Sequence, residues 1–339
     1  MLVLVYRKRN SDDSGYNELI NLYEISNRAE GKSEKTTTWY GEMLSAFTRY
    51  LWEEHELSDL SAFTVSRVRQ YIIYLHDRPR FKGHPSTPQQ ERTLSPRTVQ
   101  CHVRALKAFS TWVYTEGYTQ ENRLMNLKLP KAPTLLIEPL SPAEIDKILN
   151  CIQWKSYVGI RDRAILVTFL DTGLRASELA GIELANLNLK DGFVKVMGKG
   201  AKERTVPIGQ YVRRVLLNYF ENVRPQREAN HLFLSPAGKP VTANAIKLIF
   251  ARLARKSGVK RLHAHLCRHT FATNYLLNGG DIFSLKEILG HTTFEMVNHY
   301  LHFTSSQITA QHHKYSPMDR LHDGDTGTTA GELLASAKK

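Results

Sequence analysis

The chain is short of cysteine, short of acid, and without a long apolar run. Its three cysteines, Cys101, Cys151 and Cys267, are odd in number and widely spaced. That argues against a disulfide framework or a cysteine-based zinc site and fits a reducing compartment. No stretch reaches the roughly 18 apolar residues that a membrane span needs. The N-terminus, MLVLVYRKRN, puts its apolar run before its basic one, the reverse of a secretory signal. These absences read as a soluble, cytoplasmic protein. Acid is the scarcer charge, with 33 Asp and Glu against 46 Lys and Arg, for a net charge of +13. Such a field draws polyanions, nucleic acid ahead of an anionic membrane surface. With 42% hydrophobic residues in 339 there is ample material for a core, and the length suggests about two domains.

Charge is unevenly placed. Residues 1–60 are net negative, with Glu53, Glu54, Glu56 and Asp59 clustered. Over 61–110 the balance reverses, with Arg67, Arg69, Arg78, Arg80, Lys82, Arg92, Arg97, Arg104 and Lys107 facing Asp77 and Glu91. A second basic run, Arg252, Arg255, Lys256, Lys260 and Arg261, contains no acid.

The first half reads as helices. TTTWYGEMLSAFTRYLWEE carries Trp39, Met43, Ala46, Phe47 and Leu51 at helical spacing. TVSRVRQYIIYLHD is a second helix. SPRTVQCHVRALKAFSTWVYTEG is a third, with Ser95 as N-cap, Pro96 at the first helical position and Gly117 near the end. Between the last two, RPRFKGHPSTPQQERTLSP has four prolines and no periodicity, and reads as a loop. The expected organisation is a helical domain over 13–126, a linker over 127–140 marked by three prolines, a second domain over 141–323, and a weakly ordered tail over 324–339. In the second domain SPAEIDKIL restarts a helix with a capping box of Ser141 and Glu144. FVKVMGKGAKERTVPI alternates and turns around Gly198 and Gly200, as a β-hairpin does. The fold class is therefore mainly α with a small β-hairpin or sheet.

Four pieces of the second domain carry chemistry. In TGLRASELAGI, Arg175 and Glu178 are three apart and share a helix face. An arginine held by a carboxylate presents a fixed fork to a phosphate, although a lone pair of this kind is most often a surface ion pair. In GKGAKER, Lys199 lies on a glycine-flanked turn whose backbone can approach a ligand. In HAHLCRHTFATNYLL, His265 and Arg268 share a face. His263, His265 and His269 also suggest a metal, but no acid accompanies them and Arg268 would repel a cation. In LGHTTFEMVNHYLH, Thr292 and Glu295 make a capping box, and Tyr300 shares a face with Met296, Val297 and Leu301, so that alone it reads as a core tyrosine.

Together, T-G-L-R-x-S-E-L, G-K-G-x-K-E-R, H-x-x-R-H-T-F-A-T, L-G-H and a tyrosine nine residues later resemble the tyrosine recombinase family, that is, the phage integrases and Xer-type recombinases. The motifs cover roughly residues 140–317, and the N-terminal half matches only in pattern. The resemblance implies a two-domain DNA clamp with a helical core-binding domain and a catalytic domain. It places the catalytic set on Arg175, Lys199, His265, Arg268, His291 and the nucleophile Tyr300, with Glu178 supporting Arg175. It implies strand cutting and rejoining through a covalent 3′-phosphotyrosine, without metal, ATP or other cofactor, in integration, excision or resolution of DNA, including that of mobile elements. Double-stranded DNA is the expected partner. Arg97, Arg104 and Lys107 are candidates for phosphate contacts, and Thr242, Asn244, Lys247 and Arg252 are candidates on a helix that reads bases. The segment FTSSQITAQHHKYSPMD resembles the family's C-terminal docking helix, which implies a homotetramer on paired sites, with accessory proteins as further partners. The alternatives are a catalytically silent DNA-binding protein of the same fold, strand relaxation of the type IB topoisomerase kind, and a metal-dependent nuclease.

Overall fold

Apolar residues at helical spacing condense into two separate cores. The chain divides accordingly into two units, Met1–Leu135 and Leu136–Lys339. The structure, a computed structural model, describes residues 15–56, 60–80, 88–133, 137–198, 203–225, 229–290, 312 and 316–318. It is mainly helical with two small antiparallel sheets.

The first unit holds α1 (Tyr16–Ala29), α2 (Glu34–His55), α3 (Val65–Asp77) and α4 (Pro96–Thr115). Local chemistry starts them: Ser33, Thr64 and Ser95 each accept a hydrogen bond from the backbone N–H three residues on. On α2 the core face runs through Thr37, Gly41, Leu44, Phe47, Tyr50 and Leu51. Phe47 and Leu51 were expected there, whereas Trp39 and Met43 are only partly buried. Gly41 of this face lies against α1, with Glu24 Oε1 2.5 Å from where a Cβ would stand. The smallest residue marks where the two helices approach. The stretch expected as a loop between α3 and α4 contains β1 (Pro79–Arg80) and β2 (Gln90–Thr93), paired antiparallel. These strands are polar and largely exposed, so no apolar alternation announced them.

The core of this unit is aromatic. Phe47 meets Tyr71, Phe63 and Tyr16 edge-on at 5.0, 5.8 and 6.4 Å. Tyr71 shares a buried hydrogen bond of 3.1 Å with His102 Nδ1 of α4. Burial, assisted by Arg78, lowers the His102 pKa from 6.5 to about 4. Above pH 6.5 the ring is neutral whether the chain is folded or not. As pH falls from 6.5 toward 4 only the unfolded chain takes up the proton, so stability falls across that window, by up to roughly 3 kcal/mol. We expect hydrogen exchange of α3 and α4 amides to accelerate between these pH values after correction for intrinsic rates. Exchange protection that is flat over the window would contradict a neutral buried His102.

The second unit contains α5 (Pro142–Asn150), α6 (Tyr157–Thr172), α7 (Ala176–Ala180), β3 (Leu187–Asn188), β4 (Phe193–Met197), β5 (Glu203–Pro207), α8 (Gln210–Asn222), α9 (Ala243–Ser257), α10 (Ala264–Leu277) and α11 (Ile282–Leu289). The expected capping box opens α5: Ser141 N donates to Glu144 Oε2 at 2.8 Å, and Glu144 N donates to Ser141 Oγ at 3.2 Å. The hairpin is β4 and β5, with Val194 opposite Val206 and Val196 opposite Arg204. A third strand, β3, adds to its edge. α6 is the central helix, buried all round from Ala164 to Phe169, with α8 and α10 packed against it. Its one charged pair inside, Arg161 and Asp162, is completed by Arg252 of α9.

The chain enters this unit pinned. His269 of α10 donates to the Ile137 carbonyl, Leu140 N donates to Thr270 Oγ1 at 2.9 Å, and Arg261 donates to Pro139 O at 2.8 Å and to both oxygens of Glu144.

Candidate active site

α6 and α11 each end at a glycine with positive φ, Gly173 (φ 60°) and Gly290 (φ 63°). Both positions also lack room. A Cβ on Gly173 would lie 2.5 Å from Phe271 Cδ1 and 2.8 Å from Leu289 Cδ2, and one on Gly290 would lie 3.0 Å from Arg204. Helix C-termini expose unpaired carbonyls and partial negative charge. Arg268 of α10, 2% exposed, answers both ends at once. Its Nη1 donates to Gly173 O at 2.7 Å and its Nη2 to Leu289 O at 2.8 Å. Three motifs far apart in sequence, T-G-L-R, H-x-x-R and L-G, therefore meet on one guanidinium.

Two residues past Gly173, Arg175 is the N-cap of α7. Its backbone N–H donates to Glu178 Oε2 at 2.8 Å and its Nη1 to Glu178 Oε1 at 2.7 Å. Arg204 of β5 grips the same two oxygens, with Nη1 to Oε1 and Nη2 to Oε2 both at 2.9 Å. Its Nε donates to Ile288 O in the last turn of α11, at 2.9 Å. Burial by itself would raise the Glu178 pKa, but the hydrogen bonds from Arg204 and Arg175 outweigh it and hold the group at about 2. One carboxylate charge is thus shared by two guanidiniums, which leaves the point net positive. Glu178 is 4% exposed and Arg175 35% exposed, so it is Arg175 that carries this charge to the surface.

His265 is exposed one turn before Arg268 on α10. Partial desolvation first, then Arg268, His263, His269 and Arg175, hold its pKa below the ordinary value. Near neutral pH the ring is uncharged, with one N–H to give and one lone pair to accept a proton. The other histidines have separate tasks. His263 caps α10 by accepting from Leu266 N at 3.1 Å, and His269 serves Ile137. Among the described residues no group of three His, Cys, Asp or Glu could hold a metal. Lys199, His291 and Tyr300 lie outside the described residues, as do Thr292, Glu295 and the tail from 324.

Of the expected DNA contacts, Arg97 and Arg104 are exposed on α4, Arg97 donating to Gln100 Oε1 at 3.0 Å. Lys107 is tied inward, its ammonium donating to Met125 O at 2.9 Å and Leu127 O at 2.6 Å. Thr242 caps α9, and Asn244 and Lys247 stand exposed on its first turns. Arg252 turns to the buried Asp162. Arg204 closes the G-K-G-x-K-E-R motif, which by itself points to no task for it. The available signal was register: on a strand it shares a face with the core residue Val206, two positions on.

The arrangement can neutralise charge gathering on phosphate oxygens while a neutral imidazole handles a proton. The model described as "Phage integrase family" matches residues 138–307. Tyrosine recombinase XerD of Staphylococcus saprophyticus is 32% identical over 293 residues, covering 85% of this chain and 94% of that protein. XerD of Halalkalibacterium halodurans is 27% identical over 306 residues, covering 89% and 98%. Among solved structures, the Tn1549 transposon integrase (residues 82–397) in complex with circular intermediate DNA matches with TM-score 0.67 at 23% identity, covering 91% of this chain and 100% of that one. A lambda integrase (75–356) dimer bound to a core site matches with TM-score 0.65 at 17% identity, covering 84% and 97%. At these identities the structures speak for the fold.

Proposed function

Since the chain belongs to the phage integrase family of tyrosine recombinases, we propose that it is a site-specific DNA recombinase that cuts and rejoins strands through a 3′-phosphotyrosine on Tyr300. The observation that carries this reading is the meeting of the Arg175, Arg204 and Arg268 segments around Glu178 and the ends of α6 and α11. In the proposed step the Tyr300 hydroxyl oxygen attacks the scissile phosphorus and the bond to the 5′ oxygen breaks. Neutral His265, with His291, takes the tyrosine proton or donates to the non-bridging oxygens. Lys199 protonates the departing 5′ oxygen. Arg175 stabilises the charge on the phosphate, and Arg268 holds the backbone around it. The phosphotyrosine keeps the bond energy, so that a 5′-hydroxyl from another strand can attack it and restore the tyrosine. This chemistry calls for no metal and no ATP. The test is covalent trapping: the wild-type chain, with EDTA present, is incubated with supercoiled DNA and nicked duplexes and then denatured in SDS. A DNA–protein adduct is expected. Tight binding with no adduct on any DNA would favour the silent binding protein.

Both units are proposed to hold DNA, the first through Arg97 and Arg104, the second through Thr242, Asn244 and Lys247 on α9. Four protomers are proposed to assemble on paired sites in the cytoplasm through the segment after Tyr300, which suits integration or excision of a mobile element as well as resolution. Affinity should fall steeply with salt, by roughly tenfold or more between 50 and 200 mM. The same titration on paired sites, resolved on native gels, should show a complex of four chains at low salt. Salt-independent affinity, or binding that stops at one chain per site, would contradict the respective claim.

A further inference from the structure

The geometry points to Arg204 as a positioning residue for strand cleavage, one that fixes Arg175 through Glu178 and at the same time locks β5 to the last turn of α11. Three donor directions of a single planar fork are used, Nε on Ile288 O and the two Nη atoms on the two oxygens of Glu178, all at 2.9 Å. The side chain is 12% exposed. Its Cδ and Nε lie against Gly290, where an added Cβ would stand 3.0 Å from each. A lysine cannot reproduce this, because one ammonium does not span two carboxylate oxygens and a carbonyl in a plane. Arg204 is the more buried of the two arginines on this carboxylate, 12% exposed against 35% for Arg175, so it acts through Glu178.

Glu178 is the sensitive intermediary. Charged groups in contact with it are Arg175, on its own turn, and Arg204 of β5. The neighbouring elements send their charges elsewhere: Arg252 of α9 to Asp162, Lys195 of β4 to Glu203, and Arg268 of α10 to carbonyls, while His265 of α10 senses Arg175. Without Arg204, burial is opposed by Arg175 alone, and the carboxyl protonates at higher pH than in the wild type. A protonated Glu178 no longer holds Arg175 by charge. Loss of Arg204 should therefore hurt cleavage most at low pH, in a chain that circular dichroism at each pH shows to be still folded.

This inference rests on the recombinase reading. The test measures single-turnover adduct formation by the full-length wild type, Arg204→Gln and Arg204→Lys on a nicked duplex that the wild type cleaves, with DNA affinity measured in parallel. The ratio of Arg204→Gln to wild-type rates should fall by about tenfold for each pH unit below the new Glu178 pKa. Arg204→Lys, which keeps the charge, should show a loss of about threefold or more that stays constant with pH, at unchanged affinity. A folded Arg204→Gln with a pH-independent ratio, or an Arg204→Lys that cleaves at the wild-type rate, overturns the role of Arg204. If the wild type itself forms no adduct on any duplex, the recombinase reading fails and this inference falls with it.

Discussion

Tyr300→Phe is expected to bind DNA like the wild type and to form no SDS-resistant adduct, a fall in cleavage of more than about 1,000-fold. The substitution removes one oxygen and no charge at neutral pH, so the phosphate contacts that govern affinity are untouched. What disappears is the atom proposed to bond phosphorus. Water could in principle replace it, but it would leave a free end and no stored bond, and so no adduct. The experiment is run with EDTA on nicked duplexes, in which a departing fragment diffuses away and the intermediate accumulates. An adduct that persists in Tyr300→Phe would place the nucleophile on another residue and leave the family assignment standing.

Arg268→Ala is expected to have the other large effect, and on stability as well as on chemistry. The side chain is buried, and its two charge-assisted hydrogen bonds satisfy carbonyls at the ends of α6 and α11. Alanine leaves those carbonyls facing a cavity. Losses of roughly 3–5 kcal/mol follow for the second unit, and a melting temperature lower by roughly 6–20 °C. Arg268→Lys should recover part of the stability, since it retains the charge but reaches one carbonyl rather than two. Calorimetry separates the cases: a melting temperature for Arg268→Ala within about 2 °C of wild type would mean that the guanidinium is not what joins the helix ends.

The parts of this protein that were legible in its sequence are those whose partners lie close in the chain. The Ser141–Glu144 box spans three residues, the Arg175–Glu178 pair spans three, and the hairpin announces itself by alternation. Each can be read in a window of a few residues because backbone geometry brings i and i+3, or facing strands, together. The contacts that the sequence hid share the opposite property. Arg252 looked like a groove-facing cation because nothing near it in sequence is acidic, and its partner, Asp162, lies 90 residues away. Lys107 reads as a free surface cation in sequence, yet it donates to the carbonyls of Met125 and Leu127, 18 and 20 residues on. Arg204 was anonymous because its partners, Glu178 and Ile288, lie 26 residues before it and 84 after. Residue type tells what a side chain needs, and the tertiary fold decides what supplies it. α1 has no side-chain cap at Gly15 to mark its start, although Tyr16, Leu19, Ile20 and Tyr23 form its core stripe.

The pinned entry to the second unit has a counterpart at the end of the first, where Gln100 Nε2 donates to Pro130 O at 3.1 Å. Seven residue steps separate Pro130 from Ile137, and covalent geometry limits their contour to roughly 25 Å. That is a short leash. With both units on one duplex, release of either leaves it confined within that radius, at an effective concentration in the millimolar range. Rebinding then competes with diffusion away, and two individually weak grips acquire the residence time of one strong one.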